Sequence, residues 1–315
     1  MNTNIKYTVA IRCYAYNQKD YIRKCLDGFV MQKTSFRFKA VVHDDASSDG
    51  TKEIIQEYAD KYPDIILPIF EEENQYSKHD GSLAQIMISN TQDAKYIAFC
   101  EGDDFWTDPL MLQKHVDFLE NNPSYGMSYS RVRYYYQKTN KYDNMSWGGP
   151  FVDFSDLINE NVIPSMAVVR KLEIDNLYNS EGHNSRNRWC MGDYPRWLWY
   201  SYRSRIHFID DTIGVYRVLE ESASHSRNIE QKEKFIYNTY EIIKYFCHLF
   251  HLDSLYDEQK EYQSLFNNAV MYGDFEREKL YYSKIFKRDY RTIIKHFACK
   301  NKYLYKMLSR FFKVI

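Results

Sequence analysis

Within the first hundred residues, short β-rich runs alternate with stretches of helical spacing, and two of those runs end in carboxylates. Residues 7–14 (YTVAIRCY) read as a strand. Residues 17–32 follow with Tyr21, Ile22, Cys25, Leu26 and Phe29 on one helical face and Asn17 as the expected N-cap. FKAVVHDD (38–45) reads as a second strand and ASSDG as a turn with capping residues. TKEIIQEYADKY is then a helix with Ile54, Ile55 and Tyr58 together, stopped by Pro63. Residues 64–70 form a third expected strand, 81–93 a helix, and AKYIAFC (94–100) a further strand that runs into EGDDFW. This order predicts an α/β domain on a largely parallel sheet. Ligands of such sheets sit at the carboxyl ends of strands, where Asp44/Asp45 and Glu101/Asp103/Asp104 fall. No G-x-G-x-x-G or G-x-x-x-x-G-K-[ST] occurs, which disfavours dinucleotide oxidoreductases and P-loop NTPases.

After Pro109 a helix is expected over 110–121, closed by Asn121, Asn122 and Pro123. Strand-like segments follow at 125–137, 162–170 and 205–218, and a helix begins near Asp193. Residues 138–160 and 176–190, rich in Asn, Ser, Gly and Arg, read as loops, and the chain is helical from about 228. A length of 315 residues suits one large domain with an appendage, divided here as 1–226 and a helical extension, 227–315. The six cysteines form no C-x-x-C pair, so free thiols are expected rather than a zinc site or a disulfide framework. The N-terminus lacks the charged-then-apolar run of a signal peptide, and no apolar stretch reaches membrane-spanning length, which points to a cytoplasmic chain. The 42 Lys and Arg nearly balance the 43 Asp and Glu, so nothing favours a general nucleic-acid binder. The charge is not evenly spread. From Phe286 to Ile315 nine basic residues face Asp289 alone, and Leu304, Met307, Leu308, Phe311, Phe312 and Ile315 share a helical face. Such a helix either lies on an anionic membrane or packs on its own domain with a solvated basic side. The 30 tyrosines supply amphipathic surface compatible with sugar binding, or reflect composition alone.

Three constellations carry chemistry. Glu101, Asp103 and Asp104, crowded at a strand end, suit a hard divalent cation, Mg²⁺ or Mn²⁺, that takes its remaining ligands from phosphate and water. Asp108, ahead of Pro109, is expected to cap the next helix. Asp44 and Asp45 either accept hydrogen bonds from a base or ribose or serve the following turn, with Ser47, Ser48 and Asp49. In MGDYPRWLW, Asp193 is either an N-cap or a general base beside a sugar-stacking surface of Trp189, Trp197 and Trp199. A helix N-terminus would lower its pKa and keep it ionised. His248 and His251, spaced i, i+3, have no carboxylate cluster nearby and read as packing or surface groups. His225 is held as a further participant at a metal or diphosphate.

Taken together, AIRCYAYNQKDYI, VVHDDASSDGT, KYIAFCEGDDFWTDPLMLQKHVDFLENNP, MGDYPRWL and GVYRVLEESASHS resemble, in order, the motifs of the family-2 glycosyltransferases of the GT-A fold. The resemblance covers about residues 5–226. It implies an inverting transferase that uses a nucleotide-activated sugar, most often UDP-linked, in bacterial surface polysaccharide or glycolipid synthesis. By position, Ala15, Tyr16 and Asn17 would border the nucleotide, and Asp44 or Asp45 would meet base or ribose. Asp103 would be the metal ligand, assisted by Asp104 and Glu101, with Asp193 the catalytic base. Arg217 and His225 match a segment that closes over the diphosphate, and Trp106 and Trp189 stand as aromatic faces for sugar or acceptor. The family's usual Pro-Thr before Tyr-Asn is Tyr14-Ala15 here, and its first D-x-D carboxylate is Glu101. Two other readings compete: a sugar-nucleotide or glycan-binding module without catalysis, and a nucleotidyltransferase, whose Gly-rich basic loop YAYNQKD does not supply. The implied partners are the donor and a glycan or lipid-linked acceptor. On the membrane reading of the basic tail, residues 286–315 would add a peripheral contact with the inner face of the plasma membrane; on the other, they pack on their own domain.

Overall fold

The alternation of Val9, Ile11 and Cys13 with Arg12 and Tyr14 gives the first strand two faces, and both are covered. In the computed structural model, which describes residues 5–182, 189–219 and 228–312, this strand is β1 (Tyr7–Ala15). β2 (Phe38–Asp44) pairs parallel with one edge of β1 and β4 (Ala94–Phe99) with the other. β3 (Ile66–Phe70) extends the sheet beyond β2. α1 (Ile22–Val30), α2 (Thr51–Lys61) and α3 (Ser82–Ser89) are the crossovers. Ile22, Cys25, Leu26 and Phe29 of α1 are fully buried in the main core with Ile11, Cys13 and Val42.

Past β4 the sheet becomes mixed. It contains β5 (Phe105–Trp106), β6 (Tyr125–Tyr136), β7 (Lys141–Trp147), β8 (Val168–Lys171) and β9 (Arg205–Val218). The order is β3-β2-β1-β4-β8-β6-β9-β5, with β7 hairpinned onto β6. β5, β7 and β8 run against the other strands. α4 (Met111–Asn121), α5 (Phe154–Asn159), α6 (Leu172–Ser180) and α7 (Tyr194–Arg203) complete this part of the chain.

The structure corrects several local expectations. Asn17 caps no helix: α1 starts at Ile22, and Asn17 sits at φ +50° in the preceding loop. Asp108 is not the N-cap of the next helix either, which starts at Met111 after Leu110; its carboxylate accepts the Leu110 amide at 2.8 Å one residue ahead of that helix, and its other oxygen pairs with Lys114. The expected loops 138–160 and 176–190 contain β7, α5 and the end of α6.

The chain divides into two compact units, Met1–Val218 and Leu219–Ile315. The second consists of α8 (Ile229–Leu249), α9 (Glu258–Tyr272), α10 (Phe275–Lys284), α11 (Tyr290–Cys299) and α12 (Lys302–Phe312). Side chains of Asn228, Asp257, Asp274 and Asp289 accept backbone N–H groups at the first four starts. Leu265, Phe266, Val270, Tyr281 and Ile285 form this unit's core. Tyr305 of α12 packs on Phe275 and donates its hydroxyl to the Val270 carbonyl at 2.8 Å. His248 pairs at the surface with Asp253, 3.2 Å away. No helix among the described residues is long and apolar enough to cross a membrane.

Candidate active site

Three loops leave the carboxyl ends of β1, β2 and β4, and they are stitched together by short polar bonds. The Asp45 amide donates to the Ala15 carbonyl at 2.9 Å, and the Gly102 amide to the Tyr14 carbonyl at 3.0 Å. The Asn17 amide donates to Ser47 Oγ, and its side-chain oxygen accepts the Ser48 amide, both at 2.9 Å. The Lys19 amide reaches Asp49 at 2.9 Å and the Gln18 amide reaches Thr51 Oγ1 at 2.8 Å. Ala15 is buried in this shelf, and the Tyr16 ring beside it is half exposed.

Asp44 and Asp45 separate in role. Asp44 is fully buried: Oδ2 accepts the Ser47 amide at 3.1 Å, and Oδ1 has no hydrogen-bond partner among the described residues. Asp45 spends both oxygens on backbone, taking the Gln75 amide at 2.7 Å and the Tyr76 amide at 3.0 Å. Its carboxylate fastens the 74–76 segment, so of the two candidates for base or ribose Asp44 keeps the freer oxygen.

The acidic turn after β4 is packed as tightly. A Cβ on Gly102 would lie 2.3 Å from Gln18 Oε1 and 3.2 Å from the Tyr14 carbonyl, so a larger residue there would have to displace the Gln18 side chain and press on the β1 backbone. Asp104 Oδ1 accepts the Arg217 amide at 2.7 Å, and Arg217 Nε donates to the Asp103 carbonyl at 2.7 Å. The same guanidinium donates to Gln137 at 2.6 Å and lies over the Tyr21 ring. Arg217 is buried and clamps the turn to β9; it does not reach outward as a diphosphate lid. Burial pushes both Asp103 and Asp104 above the usual carboxylate range, and the Asp103 charge pushes Asp104 further. Asp103 Oδ1 is buried without a hydrogen-bond partner among the described residues. A buried, unpaired carboxylate oxygen beside a second carboxylate fits a hard divalent cation, which needs only one or two protein ligands. No cluster of three or more metal-ligating side chains is preformed among the described residues.

The tryptophans are not a sugar platform. Trp106 is 2% exposed, donates its indole N–H to the Met166 carbonyl at 2.8 Å and packs edge-on against Phe29. Trp189, Trp197 and Trp199 are also buried. Each has the apolar bulk that the core takes first. His225 lies outside the described residues.

Asp193 does cap α7, accepting the Tyr194 amide at 2.8 Å. Its pKa moves opposite to the expectation from the helix dipole. Burial raises it above the usual carboxylate range, and the Tyr194 N–H and Arg196 offset this only in part. Arg196 donates to the Gly192 carbonyl at 2.8 Å, one residue before Asp193, and places Nε 2.8 Å from Asp175 Oδ1. Asp175, fully buried in α6, also pairs with Arg170 at 2.9 Å and with Arg12 of β1 at 3.2 Å. Burial alone would raise Asp175, but Arg170, Arg196 and Arg12 together hold it well below the usual range. This hub links the loop of Asp193 to the strand that ends at Ala15. Sequence reading missed it, although Arg12 interrupting an apolar strand was a signal.

A family model described as glycosyl transferase family 2 matches residues 13–191, more than half of the chain. The chain belongs to glycosyl transferase family 2. The match ends two residues before Asp193 and spans both acidic loops. The Mycobacterium tuberculosis protein Rv1520, itself uncharacterized, is 36% identical over 165 residues, 51% of this chain. The chain spans about half the length of the mycobacterial relatives it matches, 46% of each. Among solved structures, Staphylococcus aureus TarS residues 1–349 with UDP-GlcNAc superposes with a TM-score of 0.58 at 13% identity, covering 94% of this chain and 91% of that one. A Pyrobaculum calidifontis mannosyltransferase with GDP-Man and Mn²⁺ gives 0.56 at 15% identity, covering 98% and 88%. The fold is therefore GT-A, as the resemblance of the sequence motifs implied.

Proposed function

We propose that this family-2 transferase is an inverting, metal-dependent glycosyltransferase acting on a UDP-linked sugar. The observation that carries the reading is the pair of buried carboxylate oxygens without partners among the described residues, on Asp44 and Asp103, at the ends of β2 and β4, the two strands that flank β1 in a family-2 fold. Asp44 would accept hydrogen bonds from base or ribose, beside Ala15, Tyr16 and Asn17. Asp103 and Glu101 would hold Mn²⁺ or Mg²⁺, and Asp104, tied to Arg217, would keep that turn in place. The bound metal would supply positive charge that stabilises the departing diphosphate. Asp193 would take the proton from an acceptor hydroxyl, which attacks the anomeric carbon from the face opposite the diphosphate. Burial makes Asp193 a stronger base than an exposed aspartate, at the cost of a higher pH for its ionisation. The donor complexes of the two structural neighbours, one with UDP-GlcNAc and one with GDP-Man, support a nucleotide-sugar and leave UDP and GDP as the first two to compare. The acceptor is read as a glycan or a lipid-linked sugar in surface polysaccharide or glycolipid synthesis. The basic segment 286–315 would bring the enzyme to the inner face of the membrane.

Asp193→Asn tests the central role. The variant should fold, bind nucleotide as before and lose transfer by about 10²–10⁴-fold. In the parent enzyme the rate should fall as pH drops through a value above the ordinary aspartate pKa of about 3.9, because only the ionised carboxylate accepts a proton. Release of nucleoside diphosphate is the readout. Near-normal transfer by the variant would remove Asp193 from the role, and no release from any donor would favour a binding module.

A further inference from the structure

α11 distributes its side chains against the usual rule. Its inner face carries Lys295 and His296, hydrogen-bonded to Asn267 at 2.9 Å and Glu278 at 2.7 Å. Its outer face is apolar. Tyr290 is 67% exposed, Ile294 51% and Phe297 58%, and Phe286, one turn earlier in sequence, is 82% exposed. At 100° per residue, Tyr290, Ile294 and Phe297 form one stripe, with Arg291 on one side and Lys300 on the other, both exposed. An apolar stripe with aromatic residues and flanking cations is the pattern of a helix lying in a membrane interface.

We propose that this outer face of α11 docks the chain onto an anionic bilayer surface. The occupant follows from charge. The segment 286–315 has nine lysines and arginines against Asp289 alone, so a second copy seated on this face would bring like charge against like. An anionic lipid surface brings the complement, and each basic residue near it adds to binding. The inference rests on the membrane reading above and moves its centre. The sequence pointed to the terminal helix; α12 is held to its own unit through Tyr305 and still exposes Tyr303 and Met307, so the test below separates the two helices.

The test is co-sedimentation of the full chain with phosphatidylcholine vesicles, with and without phosphatidylglycerol. The chain should sediment with the anionic vesicles only, and less at high salt. The Ile294→Glu/Phe297→Glu variant changes only exposed side chains. It should keep its circular dichroism and its nucleotide binding while vesicle affinity falls about tenfold or more. Arg291→Gln/Lys300→Gln should weaken binding to anionic vesicles without altering the apolar stripe. If the parent never sediments, the membrane reading itself fails. Unchanged binding by both variants, with loss on removing 302–315, leaves that reading standing and overturns the assignment to α11. A dimer that the glutamate variant dissociates would make a second copy the occupant and overturn the proposal.

Discussion

At the residue scale, the site is defined by which oxygens are already spent. Asp45 and Asp104 each accept backbone amides, whereas Asp103 keeps Oδ1 buried and unpaired. Leaving a buried acceptor unsatisfied costs about 1–3 kcal/mol, more for a charged one. Asp103→Ala should therefore raise the melting temperature without ligand and abolish the extra stabilisation by UDP that depends on Mn²⁺. A thermal-shift series with metal and with chelator checks both, and an unchanged metal response would exclude Asp103 as the ligand. The acidic positions themselves were legible, because strand ends and short motifs are local in sequence. Which of them stay available was not. That depends on partners such as Gln75 and Arg217, 30 and 113 residues away. Trp106 and Trp197 mislead for a related reason: an aromatic ring near a site motif reads alike whether it faces a ligand or the core.

At the scale of elements, the Asp175 hub fixes how α7 meets the sheet. Its carboxylate joins α6 to β1 through Arg12, to β8 through Arg170 and to α7 through Arg196. Arg196 uses two nitrogens at once, on Asp175 and on the Gly192 carbonyl, which a lysine could not reproduce. Arg196→Gln should lower kcat by up to about a hundredfold, as small displacements of a reacting group do, with nucleotide affinity kept. Removing the cation that lowers the pKa of Asp193 should also move the acid limb of the rate profile to higher pH. A pH–rate series on variant and parent reads both effects, and a fixed acid limb with normal kcat would confine Arg196 to packing. The strands and helices of the first hundred residues were legible from periodicity. β7 was not: it pairs with β6 alone, and a polar, largely exposed edge strand resembles a loop. α6 escaped for another reason, since a buried aspartate stands between Leu172 and Tyr178 and interrupts its apolar stripe.

At the scale of the whole chain, every described residue assigned to donor or base lies in Met1–Val218, and the face proposed for the membrane lies in Leu219–Ile315. Nucleotide with Mn²⁺ should therefore slow hydrogen exchange at 15–19, 44–50 and 101–104 and leave α9 to α12 unchanged. Protection spread evenly over both units would contradict the assignment of the site to the strand-end loops. The stitching of those loops has a kinetic meaning. Asn17 to Ser47 and Ser48, Lys19 to Asp49, and Gly102 to Tyr14 are bonds of protein to protein. A donor arriving at such a shelf has little chain to order, so less of its contact energy is lost to conformational entropy. The waiting time of a catalytic cycle should then reside in how the products depart, not in how the nucleotide's seat takes shape.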